Sequence, residues 1–487
     1  MLASGVLALV GAATLALGGV LAAGRGRVRM GLVVQVVGIA LLGFAGVFVL
    51  TSGGAVGSPF SSALAPAFGV DGLSGFFFAV LALTAVPTLV YARDYLPGSS
   101  GERAVGTLMA AFLLALVGVL AARNVVSFLF FWELMTFVPA AAILVSKREA
   151  PVRAAVYAYL AITHLGGAGV WIAMLVLQHF GAIGDPAALR AAGGGVQTLV
   201  AIAALVGFGT KAGFIPLHSW LPRAHPVAPA PLSALMSGVM IKVAIYGLIR
   251  VEFEWLGATP LWLALVLIVI GVVSCLGGVL WALVQHDLKR LLAYHSIENV
   301  GIIALGLGAS MLFAAVGERT WAAIAFAAAL LHVANHAVFK SLLFLGAGAF
   351  ERAVGSLDLD HLGGLLRRMP WTAGAFLIGS MAIAGLPPLN GFASEWLTLQ
   401  SLMHAALHPP VGGALVAGAA LASLAATAAL ALLCFVKVAG LALLGPARRP
   451  ECDAATDPSV GMRARGRVPR RGVRRAWRRP RPRFADA

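Results

Sequence analysis

The chain has 487 residues, of which 60% are hydrophobic and only 11% charged, and its mean hydropathy of +0.94 excludes an ordinary soluble domain. The formal net charge of +16 is unevenly placed: beyond Gly445, 13 arginines against 4 acidic residues give +9 and leave +7 for everything before. The three cysteines, Cys275, Cys434 and Cys452, lie far apart and form no CxxC pair, so neither a disulfide framework nor an iron–sulfur or zinc site is expected.

Apolar runs long enough to cross a hydrocarbon core of about 30 Å recur along nearly the whole length. They predict spans at about 4–23, 31–51, 70–91, 104–122, 124–146, 153–181, 196–218, 231–250, 258–284, 291–316, 320–349, 371–404 and 411–445. The fold class is therefore an all-α polytopic membrane protein of about 13 transmembrane helices. The first run is followed, not preceded, by Arg25, Arg27 and Arg29, which predicts a spanning helix with its N-terminus outside rather than a cleaved leader. With that orientation Arg25, Arg27, Arg29, Arg93, Arg103, Lys147, Arg148, Arg153, Arg223, Lys289, Arg290, Arg352, Arg367 and Arg368 fall on the cytoplasmic side. Only Arg123, Arg190, Arg250 and Arg319 fall opposite, and this positive-inside bias puts the C-terminus in the cytoplasm of a bacterial plasma membrane.

Two spans are interrupted. Between Lys211 and Lys242 the chain carries Pro216, Pro222, Pro226, Pro229 and Pro231, and the span starting near Trp371 is broken by Gly385-Leu386-Pro387-Pro388-Leu389-Asn390-Gly391. Broken spans at corresponding places point to two inverted repeats and to a hydrated interior where freed backbone groups find partners. The expected organisation is N-terminal helices at 1–103, a first repeat at 104–250, a second at 258–445 and an Arg/Pro-rich tail at 446–487. The tail has no hydrophobic period and reads as disordered, as a frameshifted or truncated end, or as a lipid-binding segment; no nucleic acid is expected.

Ionisable residues inside spans are costly, about 2.5–3.5 kcal/mol each on insertion scales, and mark ion pathways. Glu133 lies mid-span in FLFFWELMTFVPAAAILV, and Lys211 and Lys242 lie in the broken stretch. A Glu133–Lys211 pair would work as a switch: separated from its carboxylate in a dry interior, the lysine hands its proton onward. A static salt bridge locking two helices is the alternative. His332, His336 and Lys340 recur every fourth residue on one helical face, as a proton relay, a packed polar face or, less suitably for want of a third ligand, a zinc site. Glu395 follows the second break, either as a counterpart of the lysine site or as an interfacial carboxylate. Accessory candidates are His218, His295 and Glu298, with His164 and His225 as weaker ones and Tyr294 beside them. Lys437 is expected to snorkel to the surface. No catalytic residue, metal ligand or cofactor site is visible.

Four stretches, FWELM around Glu133, GTKAGFIPLHSWLPRAHPVAPAPLSALMSGVMIK, HVANHAVFKSLLFLGAGA and GLPPLNGF, resemble the antiporter-like membrane subunits shared by respiratory complex I, multisubunit sodium/proton antiporters and membrane-bound hydrogenases. AYHSIENVGII resembles the hydrogenase 4 component B and formate hydrogenlyase subunit 3 branch. The resemblance, from about 65 to 445, implies about fourteen helices with two inverted five-helix repeats and proton transfer through buried charges. It casts Glu133 and Lys211 as the paired carboxylate and lysine, Lys242 as the bridging lysine, and Lys340 and Glu395 as the second-half sites. Relatives of that branch continue with further membrane helices where this chain has its Arg/Pro-rich tail. The expected function is a proton-translocating, non-catalytic membrane subunit of a hydrogenase-type or NADH:quinone-oxidoreductase-like complex. Its partners would be other membrane subunits, a peripheral electron-transfer arm and membrane lipid. A sodium/proton antiporter subunit and a non-conducting membrane scaffold are the rival expectations.

Overall fold

The computed structural model describes residues 2–96, 99–257, 260–408 and 411–458. The region from 459 onward, which holds most of the Arg/Pro-rich tail, lies outside the described residues. Among the described residues, twelve helices are long and apolar enough to cross a membrane. They are α1 (Leu2–Ala23), α2 (Val28–Ser52), α3 (Gly72–Tyr95), α4 (Ser100–Ala121), α5 (Val125–Ser146), α6 (Ala150–His179) and α7 (Gly194–Ala212). There follow α8 (Ala230–Trp255), α9 (Leu261–Leu283), α10 (Leu288–Ala315), α11 (Arg319–Val354) and, last in the chain, α14 (Gly413–Leu444). The remaining predicted span is split into α12 (Pro370–Ile383) and α13 (Asn390–Leu407). The predicted membrane architecture is thus the observed one.

Polar side chains set where helices start. The Asp71 carboxylate accepts from the Ser74 amide, Asn124 from that of Ser127, and Ser99 with Glu102 forms a reciprocal capping box. Both interruptions begin at a glycine in the left-handed region, Gly213 at φ 94° and Gly385 at φ 64°. After the first, the chain crosses 213–220 and a short helix, Leu221–Val227, before α8; the Trp220 indole donates to the Thr210 carbonyl at 2.8 Å and the Ile215 amide to Ser274 at 3.1 Å. These bonds satisfy backbone freed by the break. At the second, a Cβ on Gly385 would lie 2.4 Å from a Glu395 carboxylate oxygen, so glycine is what lets that side chain fold back against the break.

The outer helices show large apolar side chains outward, Leu165, Trp371 and Phe44 among them, as a lipid-facing surface requires. The best-buried spans are α8 and α10. These two also carry Ser237, Lys242, His295, Ser296, Glu298 and Asn299, all buried, so the centre of the bundle is its most polar part. Polar groups there need partners from neighbouring helices, and that requirement builds the site.

Candidate proton-transfer site

Lys211, in the last turn of α7, is buried, and its ammonium donates to the Thr136 hydroxyl of α5 at 2.5 Å. The rings of Trp132 and Tyr159 flank it, each centroid 5.7 Å from Nζ. The expected Glu133–Lys211 ion pair is not formed. Glu133 turns instead to α6, with His164 Nε2 at 3.1 Å and the Trp171 indole donating at 2.8 Å. Its carboxylate borders an apolar groove of about 580 Å³ lined by Phe130, Phe137, Trp171 and Leu175. The Trp171 indole and the neighbouring His164 ring, both on α6, hold the carboxylate, while Lys211 finds Thr136 one turn further along α5.

Tyr159 extends this contact inward. Its hydroxyl donates to the Thr136 carbonyl at 3.1 Å and lies 3.9 Å from the Met240 sulfur, two residues before Lys242. Lys242 is fully buried and donates to the Ser237 carbonyl at 2.5 Å. The α8 helix widens into π geometry over Met236–Met240, directly before this lysine.

From Ser237 polar groups continue toward α11. The Ser237 and Ser296 hydroxyls are 2.9 Å apart, Ser296 donates to the Leu292 carbonyl at 3.1 Å, and Lys340 of α11 donates to that same carbonyl. Lys242 thus rests on the carbonyl of the serine whose hydroxyl pairs with Ser296, and Lys340 on the carbonyl that Ser296 also reaches, so a row of buried polar groups lies between the two lysines across α8, α10 and α11. A second network starts from α10, where His295 and Glu298 are in direct contact and Asn299 donates to the His295 carbonyl at 2.8 Å. His332 links Asn299 at 3.1 Å with Ser394 at 2.9 Å, and Asn335 adds the Asn390 carbonyl at 2.7 Å. Glu395, the next residue after Ser394, is buried at 6% exposed. His295 and Glu298 are likewise buried and do not face headgroups.

His336 stacks at 6.3 Å from His332, and neither of its ring nitrogens has a protein partner; the same holds for His225, stacked on Phe344 at 4.7 Å. His218 is half-buried, its ring 6.4 Å from that of Tyr294. Lys437 donates to the Leu283 and Gln285 carbonyls at the end of α9, consistent with an end-of-helix position.

Sequence reasoning passed over several groups. Thr136, Tyr159, Ser237, Ser296, Asn299 and Ser394 look like filler in an apolar run and declare themselves only through their partners. Lys289, counted among loop charges, is buried on α10, with Glu351 at 2.6 Å and the Ala228 carbonyl at 3.1 Å. It borders a polar cavity of about 250 Å³ that also involves Ser99, Ser146, Lys147 and Glu351, at the face opposite the N-terminus. Glu252 is buried near the end of α8 with neither oxygen hydrogen-bonded, and nothing in the structure explains it.

A helical membrane bundle with broken spans has lysines, histidines and carboxylates threaded through its centre. Residues 122–422 match the family model described as NADH:quinone oxidoreductase/Mrp antiporter, transmembrane, and the chain belongs to that family. Among its relatives, hydrogenase-4 component B of Escherichia coli (strain K12) is 39% identical over 80% of this chain and 58% of its own length. Formate hydrogenlyase subunit 3 of the same organism is 43% identical over 52% of this chain and 41% of its own. The chain thus spans about half the length of these curated relatives. A solved structure of the Mrp complex from Dietzia sp. DQ12-45-1b contains a chain of the same fold, with TM-score 0.74, 24% identity, and coverage of 92% of this chain and 81% of that one. The archaeal membrane-bound sulfane sulfur reductase complex gives TM-score 0.77 at 23% identity, covering 93% and 72%.

Proposed function

We propose that this chain is a proton-translocating, non-catalytic membrane subunit of a hydrogenase-type or NADH:quinone-oxidoreductase-like complex. Protons move by way of Glu133, Lys211, Lys242, His332, His336, Lys340 and Glu395, with His218, His295 and Glu298 as accessory groups. The observation that supports this best is the row of buried polar groups between Lys242 and Lys340, made of the Ser237 carbonyl and hydroxyl, the Ser296 hydroxyl and the Leu292 carbonyl. Two ammonium groups buried at the ends of one polar row repel, so a proton arriving at one end favours loss at the other. The names of the relatives motivate the partners, which are further membrane subunits and a peripheral electron-transfer arm.

The interruptions at Gly213 and Gly385 motivate two repeats, 104–250 and 258–445, after N-terminal helices at 1–103. The positive-inside bias motivates an N-terminus outside and a C-terminus in the cytoplasm. The test is driven proton uptake into inverted vesicles carrying the assembled complex. Lys242→Ala and Lys340→Ala are each expected to cut uptake per turnover about tenfold or more. Normal uptake in both would overturn the reading.

The fold shared with a chain of the Mrp complex favours a second reading, an antiporter subunit driven by the proton gradient. It requires sodium- or potassium-dependent proton movement in vesicles with no electron donor.

A further inference from the structure

Lys242, Tyr246 and Arg250 step by four along α8 and so share one face. At the N-terminal face of the membrane this stripe ends in a closed cluster. The Tyr246 hydroxyl donates to the Leu120 carbonyl at 3.0 Å and lies 3.1 Å from the Ser74 hydroxyl. Arg250 reaches Asp71, donates to Ser74 at 3.2 Å, and grips both Glu254 oxygens at 2.8 and 2.6 Å. Arg123 lies 3.4 Å from Asp71 and donates to Ser74 at 3.3 Å. The Phe60 ring covers both cations, its centroid 4.3 Å from the Arg123 guanidinium carbon and 5.0 Å from that of Arg250, and meets Trp255 edge-on at 5.2 Å.

The paired charges are ordered by exposure. The side chains of Arg123 and Arg250 are 3% and 4% exposed, those of Asp71 and Glu254 27% and 39%, so in each ion pair the cation is the buried member and the acid the exposed one. One nitrogen of each guanidinium, Arg123 Nη1 and Arg250 Nε, is buried with no acceptor. Helix locking alone accounts for the ion pairs but not for that order, nor for a ring laid over both cations. A guanidinium stays protonated, so it cannot relay a proton, and it repels an approaching cation in a low-dielectric passage.

We propose that Arg123, Arg250 and Phe60 form a cation-excluding seal at the N-terminal-face end of the Lys242 stripe, so that protons reaching Lys242 pass sideways toward Lys340 rather than out along α8. This rests on the proton-carrying reading above. The test uses the full chain in lipid vesicles loaded with a pH-sensitive dye, with a proton gradient imposed and no driving reaction. Arg250→Gln is expected to raise passive leak about tenfold, Arg250→Lys much less, and Phe60→Ala, which leaves every ion pair in place, to raise it as well. Adding Lys242→Ala to Arg250→Gln is expected to return the leak to baseline. Size-exclusion and melting profiles matched to wild type establish folding, and Phe60→Ala decides the matter if Arg250→Gln fails them. No added leak in the folded variants overturns the seal. A leak that persists without Lys242 overturns its placement on the lysine path. Loss of driven uptake in Lys340→Ala reports on the proton-carrying reading separately, since a seal is measured at rest.

Discussion

Lys211 sits on the hydroxyl of Thr136, 2.5 Å away, and forms no ion pair with Glu133, which α6 holds through His164 and Trp171. A lysine resting on a neutral hydroxyl is more weakly held than one on a carboxylate, which suits a group that must give up its proton. Thr136→Val keeps the shape and removes the acceptor. Driven proton uptake is expected to fall about tenfold in assembled complexes, with Thr136→Ser close to wild type. Equal uptake in the two variants would show that the hydroxyl is dispensable.

The serine pair between the two central lysines gives a sharper test. Ser237→Ala and Ser296→Ala each remove one hydroxyl of the pair, while the Ser237 and Leu292 carbonyls on which the two lysines rest remain. Uptake per turnover is expected to drop about tenfold in either single variant and little further in the double, because the two hydroxyls act as one bonded pair. Additive losses, measured in the same vesicles, would count against a shared path.

Lys289 is buried, and its main charge partner, Glu351, is partly exposed. Truncating the partner strands the ammonium, so Glu351→Ala is expected to cost about 3 kcal/mol of stability in a detergent unfolding curve. Replacing both, as Lys289→Met with Glu351→Leu, is expected to recover most of that loss. A double variant no better than Glu351→Ala would assign the loss to packing.

Asp71 lies before α3, outside the spanning segment. Burial pushes its carboxyl up, but Arg250 and then Arg123 more than offset this and hold it below its ordinary value of 3.8. A carboxyl lowered on folding stabilises above its unfolded value, and that contribution is lost as pH falls through the folded value. Thermal melts are therefore expected to show an acid-side decline setting in below about pH 4. Asp71→Asn should be less stable at neutral pH and should lack this component of the decline.

The spans were legible because apolar length needs no tertiary information: of thirteen predicted runs, twelve correspond to helices long and apolar enough to cross a membrane among the described residues, and the thirteenth is split in two. The interruptions were legible from proline and glycine, and the burial of Lys211, Lys242 and Lys340 from the cost of placing them anywhere but the interior. Partnerships were not. Which group Glu133 meets depends on how α5 is rotated against α6 and α7, and spacing along one helix does not encode that. The small polar residues of α8 and α10 carry no mark in a single sequence that separates a connecting serine from a packing one. Arg123, Arg250 and Lys289 were counted as loop charges because each lies at a span end, where hydropathy cannot tell a solvated cation from one folded inward.

The widened turn at Met236–Met240 carries a consequence for anyone altering α8. Such a turn accommodates one more residue than its neighbours, so a helical wheel drawn at uniform pitch through 230–255 assigns Lys242, Tyr246 and Arg250 to the wrong azimuth relative to Ser233. Excising a single residue there would restore even winding and leave the helix beyond it facing as it does now, yet it would shorten the five-residue step from Ser237 to Lys242 to four, removing the span over which the ammonium meets the Ser237 carbonyl.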